Sequence, residues 1–474
     1  GKFGGDTDNW IWPRHTGDFS MFRVYASKDN RPAAYSPQNV PYRPKKHFSI
    51  STKGVKEGDF TMIYGFPGNT QEYILSDAVA YIAERSDPAK IVVRTGRLDI
   101  ITKAQESDPA LRIHYAAKHA SIANAWKKWQ GEALGIDRRG TVAAKFDYET
   151  QFGLWSVGRP EYAGVVMGLR AEYDRIMDAY FAYEITRETL STLPAAYTPE
   201  ERAEECFARR KFAEQALWRH AFREYGRCPK VYRTPSYAEG MARYKSPEAY
   251  ADALFEAVWE GSDSVAMQPA VRLREETKRM LDHISWMLGT KSLRNLNSKI
   301  LNELYTTYIK GLREWDRERA FYPDANLTLR VAYGSVAGYE YADGEYHKPQ
   351  TTLDGIIAKD NPEIYDYDIP QSLRDLYASK NYGRWGTVID GRRTVPVCFL
   401  ATNHTTGGNS GSPVLNAGGE LIGINFDRTW RSTMSDIAFD PAICRNIAVD
   451  IRYVLFVVDR VGGAGYLLKE MTLK

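Results

Sequence analysis

Three things are scarce in this 474-residue chain, and each scarcity removes a class of function. Cysteine is the first: Cys206, Cys228, Cys398 and Cys444 stand far apart with no C-x-x-C spacing, which argues against a zinc or dithiol redox motif. An even count permits two disulfides or four buried thiols, so the compartment is not legible from them. Long apolar runs are the second. Tyr453–Val458 is among the longest and falls far short of the roughly 20 residues a spanning helix needs, so no membrane span is expected. Charge of one sign is the third: 63 Lys and Arg face 60 Asp and Glu, giving +3 with no dense basic block, which argues against nucleic acid as a partner. An initiating Met and a signal-peptide pattern are also missing, and the start at Gly1 reads as processing or as a fragment.

What is present is a soluble, globular composition with 43% hydrophobic residues, in a chain too long for one ordinary core. Strand patterns open it: Asp18–Ala26 alternates, and His47–Ser51 and Phe60–Phe66 follow, the last closed by Pro67-Gly68. From about residue 70 to 326 the periodicity is helical. Thr198-Pro199-Glu200-Glu201 reads as a capping box before a helix reaching about Tyr225, and Ser246-Pro247 opens another that Gly261 ends. Tyr173, Met177 and Tyr180, or Leu301, Leu304 and Tyr308, fall at helical spacing and are read as core. Strands return at Thr328–Tyr333, Val395–Ala401, Pro413–Leu415, Leu421–Phe426 and Asn446–Val449, before a last helix capped by Asp450. The order β, helical, β is most simply a helical module inserted into a β scaffold.

The organising stretch is Thr406-Gly407-Gly408-Asn409-Ser410-Gly411-Ser412-Pro413, between which and Leu421–Ile424 a Gly418-Gly419 turn makes a hairpin. A serine between glycines is how chymotrypsin-like peptidases present a nucleophile, with the amides of Gly408 and Ser410 facing a tetrahedral oxyanion. Alone, the pattern is equally a glycine-rich turn carrying two solvated serines. Asp18, just ahead of a strand, is the candidate orienting carboxylate, against a plain reading as a capping aspartate. None of the eight histidines suits the base. His15 is three residues from Asp18 in the same loop, His404 is six before Ser410, and the other six also follow Asp18. The expectation is that the base lies upstream of Gly1, that the first β-barrel is incomplete, and that this chain is inactive alone.

The segments Gly4–Asp18 (G-G-D-T-D-N-W-I-W-P-R-H-T-G-D), Thr405–Pro413, Asn425–Trp430 and Cys444–Tyr453 resemble signatures of the bacterial dipeptidyl-peptidase 7 and 11 family of serine exopeptidases, and the similarity spans the whole chain. The resemblance implies a mixed β and α fold: a chymotrypsin-like double β-barrel with an inserted all-helical domain that caps the cleft. On that basis residues 1–69 are the C-terminal part of the first barrel, 70–326 the helical insertion, and 327–474 the second barrel with the nucleophile and last helix. It implies release of dipeptides from oligopeptides with a free N-terminus, with Asp18 and Ser410 in the triad and Gly408 in the oxyanion hole. Asn9, Trp10, Asn124 and Asp427 match its amine-binding positions, although Asn124 alone would be a polar residue on an exposed helix face. Arg428, eighteen positions after Ser410 (428 − 410), matches the pocket for the residue before the cut bond. An arginine there resembles the dipeptidyl-peptidase 11 branch, which prefers Asp or Glu. By resemblance the protein is a homodimer of the periplasm or cell surface of a Gram-negative bacterium, with no metal or organic cofactor. A chymotrypsin-like endopeptidase and a noncatalytic peptide-binding or interaction protein remain the alternatives.

Overall fold

The computed structural model describes residues 3–5, 7–17, 19–261, 264–289 and 296–474. The chain divides into two compact units, one made of the residues up to Glu72 together with Asp324–Lys474, the other Tyr73–Pro323. The fold is mixed: the first unit is built on a sheet, the second is helical.

The sheet has seven strands, all paired antiparallel: β1 (Phe60–Gly65), β2 (Arg330–Ser335), β3 (Gln350–Thr352), β4 (Pro396–Ala401), β5 (Ser412–Leu415), β6 (Leu421–Arg428) and β7 (Asn446–Asp450), in the order β2-β1-β5-β6-β7-β4-β3. It curls, as twisted sheets do, until Val336 just past β2 bridges Ala401 at the end of β4. Inside the curl Ile63, Val336, Phe399, Val414, Ile422 and Ala448 form one core cluster with Val55. The continuous apolar run of β4 is buried along its whole length because a second layer, including the helix Ile451–Phe456 capped by the Asp450 carboxylate, covers its outer face. Gly423 of β6 is required by this packing: a Cβ there would stand 2.7 Å from both the Phe399 ring and the Val449 carbonyl oxygen.

Two sequence expectations are altered here. Phe60–Gly65 reads as part of an N-terminal barrel but sits between β2 and β5, in the same sheet as the nucleophile hairpin, because Ile63 pairs with Val414 and completes the cluster. The alternating stretch from Asp18 yields only a two-residue strand, Tyr25–Ala26, paired with Val40–Pro41. Its outward residues Phe22 and Val24 are exposed, so alternation there has no packed face to set a longer strand. His47–Ser51 contributes isolated bridges through Ile50 to Leu421 and Leu473.

In the helical unit the capping chemistry is as the residues suggest. Thr198 and Glu201 make a reciprocal capping box, Ser246 Oγ accepts from the Ala249 amide, and Gly261 closes its helix at φ 61°. The helical stretch expected from Thr198 to Tyr225 is broken into Pro199–Ala203, a 3₁₀ turn and Lys211–Tyr225. Long helices at Asp87–Ser107 and Pro109–Arg138 pack through Leu98, Ile101, Leu111, Tyr115 and Ile122 against Leu217 of the helix Lys211–Tyr225. All four cysteines are buried and unpaired, and no helix among the described residues is long and apolar enough to cross a membrane.

Candidate functional site

Ser410 lies on the loop between β4 and β5, where backbone geometry, not side-chain packing, makes the first demand on sequence. Gly408 has φ 106° and Gly411 φ 84°, both in the left-handed region. A Cβ on Gly408 would also stand 2.3 Å from the Phe66 carbonyl oxygen, so glycine is needed twice over. Phe66 and its neighbours are drawn close because the Gly68 amide donates to Gly407 O at 2.6 Å.

A chain of asparagines holds the loop from beneath. Buried Asn409 receives the Thr406 amide on Oδ1, and its carbonyl accepts from Asn425 Nδ2, both at 3.1 Å. Asn425 returns its own carbonyl to the Gly411 amide at 2.7 Å and takes Asn446 Nδ2 on Oδ1 at 2.9 Å. Three side chains from the loop, β6 and β7 thus fix the turn through a run of buried amide hydrogen bonds. Ser410 itself is exposed, and its Oγ donates to the Phe426 carbonyl at 3.2 Å. The amides of Gly408 and Ser410 donate to no described group.

Phe426 precedes Asp427 and Arg428, and the β6–β7 register shifts between Asn425 and Asp427. Such a bulge re-aims the following side chains. Asp427 Oδ2 accepts from the Trp10 amide at 3.0 Å and from Arg14 Nη1 at 2.7 Å, while Oδ1 takes the Arg428 amide at 2.8 Å. Arg14 is 2% exposed, its guanidinium lies over the Phe426 ring at 5.1 Å, and Nη1 also reaches Asp8 O. Trp10 adopts φ 69°, unusual for a side-chain-bearing residue, and is held there by its amide on Asp427 and by the Trp430 amide on its carbonyl. Its indole covers Arg428 at 5.5 Å. Arg428 is buried: Nη1 and Nη2 fork onto Asp436 Oδ1 and Oδ2 at 2.5 and 2.8 Å, and Nη1 also reaches Ser435 Oγ at 2.8 Å and Thr405 O at 3.3 Å.

The structure therefore brings Trp10, Gly408, Ser410, Asp427 and Arg428 to one end of β6, with half-buried Asn9 adjoining Trp10 in the chain. Asp18 falls outside the described residues. Asn124 is an exposed residue of the helix Pro109–Arg138, in the other unit. Arg14, Asn425, Ser435, Asp436 and Asn446 belong to this constellation and escape sequence reasoning. Arg14, Asn425 and Asn446 lie inside the signature segments, whereas Asp436 carries no local signal, since its partner is set by how the chain folds back after Trp430.

The histidines of this unit are engaged elsewhere. His404 stacks on Phe439 at 4.5 Å with Nε2 at 3.0 Å from Ser435 O and Nδ1 at 3.3 Å from Glu72, and burial lowers its pKa. His47 meets Thr472 Oγ1, and His347 pairs with Glu345. His15 packs over Gly355, its Nδ1 buried without a hydrogen bond to any described group, and burial with the nearby Lys359 charge lowers its pKa from 6.5 to about 4. The unfolded chain then binds a proton that the folded one rejects. His15 favours folding above its unfolded pKa, and that contribution is lost as pH falls from 6.5 through about 4. Its full size is on the order of 3 kcal/mol. Denaturant melts of wild type and His15→Gln are expected to differ in their loss of stability by about this much between about pH 7 and about pH 4; parallel curves would show that His15 titrates freely.

The profile of the peptidase S46 family matches residues 1–208 and 198–473. The Asp/Glu-specific dipeptidyl-peptidase of Capnocytophaga gingivalis is 41% identical across all of this chain and 71% of its own length, and its counterpart of the same name from Flavobacterium psychrophilum is 42% identical with the same coverage. Among solved structures, Porphyromonas endodontalis DPP11 in complex with the dipeptide Arg-Glu superposes with a TM-score of 0.83 at 33% identity, over 100% of this chain and 73% of that one. Identity at this level along the entire chain, together with a shared fold, places the protein in the peptidase S46 family of peptidases.

Proposed function

We propose that the protein is a serine dipeptidyl-peptidase that takes peptides with a free N-terminus and prefers Asp or Glu immediately before the cut bond. The observation that carries this is the hydrogen bond from Ser410 Oγ to Phe426 O, which sets a loop-tip hydroxyl beside the consecutive pair Asp427-Arg428. Ser410 Oγ attacks the scissile carbonyl, and the Gly408 and Ser410 amides receive the oxyanion. A further base takes the Oγ proton and returns it to the shortened peptide's amine as the tetrahedral species collapses, which leaves the dipeptide esterified to Ser410, from which water releases it. Asp427, with Asn9 and Trp10, holds the substrate's ammonium, and Arg428 takes the acidic side chain. Asp18 completes the acid side of the triad. The names of the relatives support the same preference.

Ser410 Oγ donates to the Phe426 carbonyl and to no described histidine, so hydrolysis by this chain alone is expected to be several orders of magnitude slower than by a complete triad. The working enzyme is a homodimer of the periplasm or cell surface in this reading. Because it places the ammonium on a carboxylate, a dipeptide with a free amine is expected to bind about 10- to 100-fold more tightly than its N-acetylated twin, the worth of a charge-assisted contact. Calorimetric titration of both settles the matter: equal affinities would remove the exopeptidase assignment and favour an endopeptidase. Rapid hydrolysis by the isolated chain would overturn the requirement for a further base.

A further inference from the structure

Arg428 does not stand in its pocket as a bare cation. Asp436 grips it through both carboxylate oxygens, at 2.5 and 2.8 Å, in the planar two-pronged geometry that a peptide's own Asp or Glu side chain would use. The pair is nearly closed to water, Arg428 being 4% and Asp436 9% exposed. The Asp436 main chain is tied down as well, since its carbonyl accepts the Gln71 amide at 2.6 Å.

A buried guanidinium without a counter-charge would weaken the fold, and Asp436 removes that penalty in the peptide-free protein. The same contact changes what the pocket sees in a ligand. A neutral side chain meets a pair that is already compensated. An acidic one brings a second carboxylate to a single guanidinium, so Asp436 must share its partner or rotate away. Either response subtracts from the attraction that an uncompensated guanidinium would exert.

Resting on the reading of Arg428 as the side-chain pocket, we propose that Asp436 is a specificity-determining residue: it occupies the carboxylate seat of Arg428 until an acidic side chain displaces it, and so sets how sharply the pocket separates Glu from Gln. Asp436→Asn keeps the shape and one acceptor but removes the competing charge. Ser435 Oγ and Thr405 O remain to hold Nη1 in place.

The test is calorimetric titration of the 474-residue chain with the dipeptides Ala-Glu and Ala-Gln, which differ only in side-chain charge, for wild type, Asp436→Asn and Arg428→Met, with thermal melts to verify folding. Wild type is expected to prefer Ala-Glu, Asp436→Asn to widen that preference about tenfold, and Arg428→Met to erase it. An unchanged or narrowed ratio in Asp436→Asn, with the other two results as expected, overturns the role of Asp436 and leaves the pocket standing. A wild type without preference, or an Arg428→Met chain that keeps it, overturns the pocket itself. Should Asp436→Asn not fold, Asp436→Ser is read by the same ratio, since it too removes the competing charge.

Discussion

Arg428→Met is expected to lower the affinity for a dipeptide ending in Glu by about 100-fold while leaving its Gln twin within a few-fold, because truncating one side of a desolvated, hydrogen-bonded charge pair removes about 2–5 kcal/mol. The variant also strands Asp436, whose carboxylate loses both guanidinium contacts, so its thermal midpoint is expected to fall as well. Arg428→Lys separates these effects. It keeps a positive charge beside Asp436 and thus most of the stability, but a point charge cannot hold two oxygens in one plane. A selective loss of Glu affinity in a chain that melts near wild type would therefore be the signature of the planar fork. Equal losses for Glu and Gln in both variants would show instead that Arg428 serves the scaffold only.

The parts of the fold and of this site that are legible in the sequence are those with local backbone demands. Gly408 and Gly411 announce a left-handed turn, Thr198-Pro199 and Ser246-Pro247 announce helix starts, and the structure shows the physical need for each. Asp427 and Arg428 enter the sequence reading through the family resemblance, and the structure places both on the strand that returns beside Ser410. What escapes is whatever depends on contacts between remote segments. Asp436 looks like any surface aspartate until the 3₁₀ turn Trp430–Asp436 folds it back onto β6. Asn409, Asn425 and Asn446 are unremarkable singly and become a relay only when three segments converge. The placement of Phe60–Gly65 was misread for a related reason: alternation identifies a strand, but its neighbours follow from which core cluster accepts Ile63.

Asp427→Leu is expected to destabilise the protein by about 3–5 kcal/mol and to abolish selective binding of free-amine dipeptides, and the two losses have different origins. The first arises because Arg14, 2% exposed, would keep its charge with its carboxylate partner gone, leaving only Asp8 O and the face of Phe426. The second arises because the substrate's ammonium would meet an alkyl group. Pairing the change with Arg14→Met distinguishes them: two apolar side chains of similar volume replace a buried ion pair, a swap that is often neutral or stabilising, so the double variant is expected to recover most of the lost stability. It should not recover the amine preference, since the carboxylate is still absent. If stability and preference return together, Asp427 acts only by anchoring the Trp10 and Arg14 loop, through its hydrogen bonds to the Trp10 amide and to Arg14 Nη1, and the ammonium is bound elsewhere. If neither returns, the coupling between Arg14 and Asp427 is weaker than their 2.7 Å separation and burial imply.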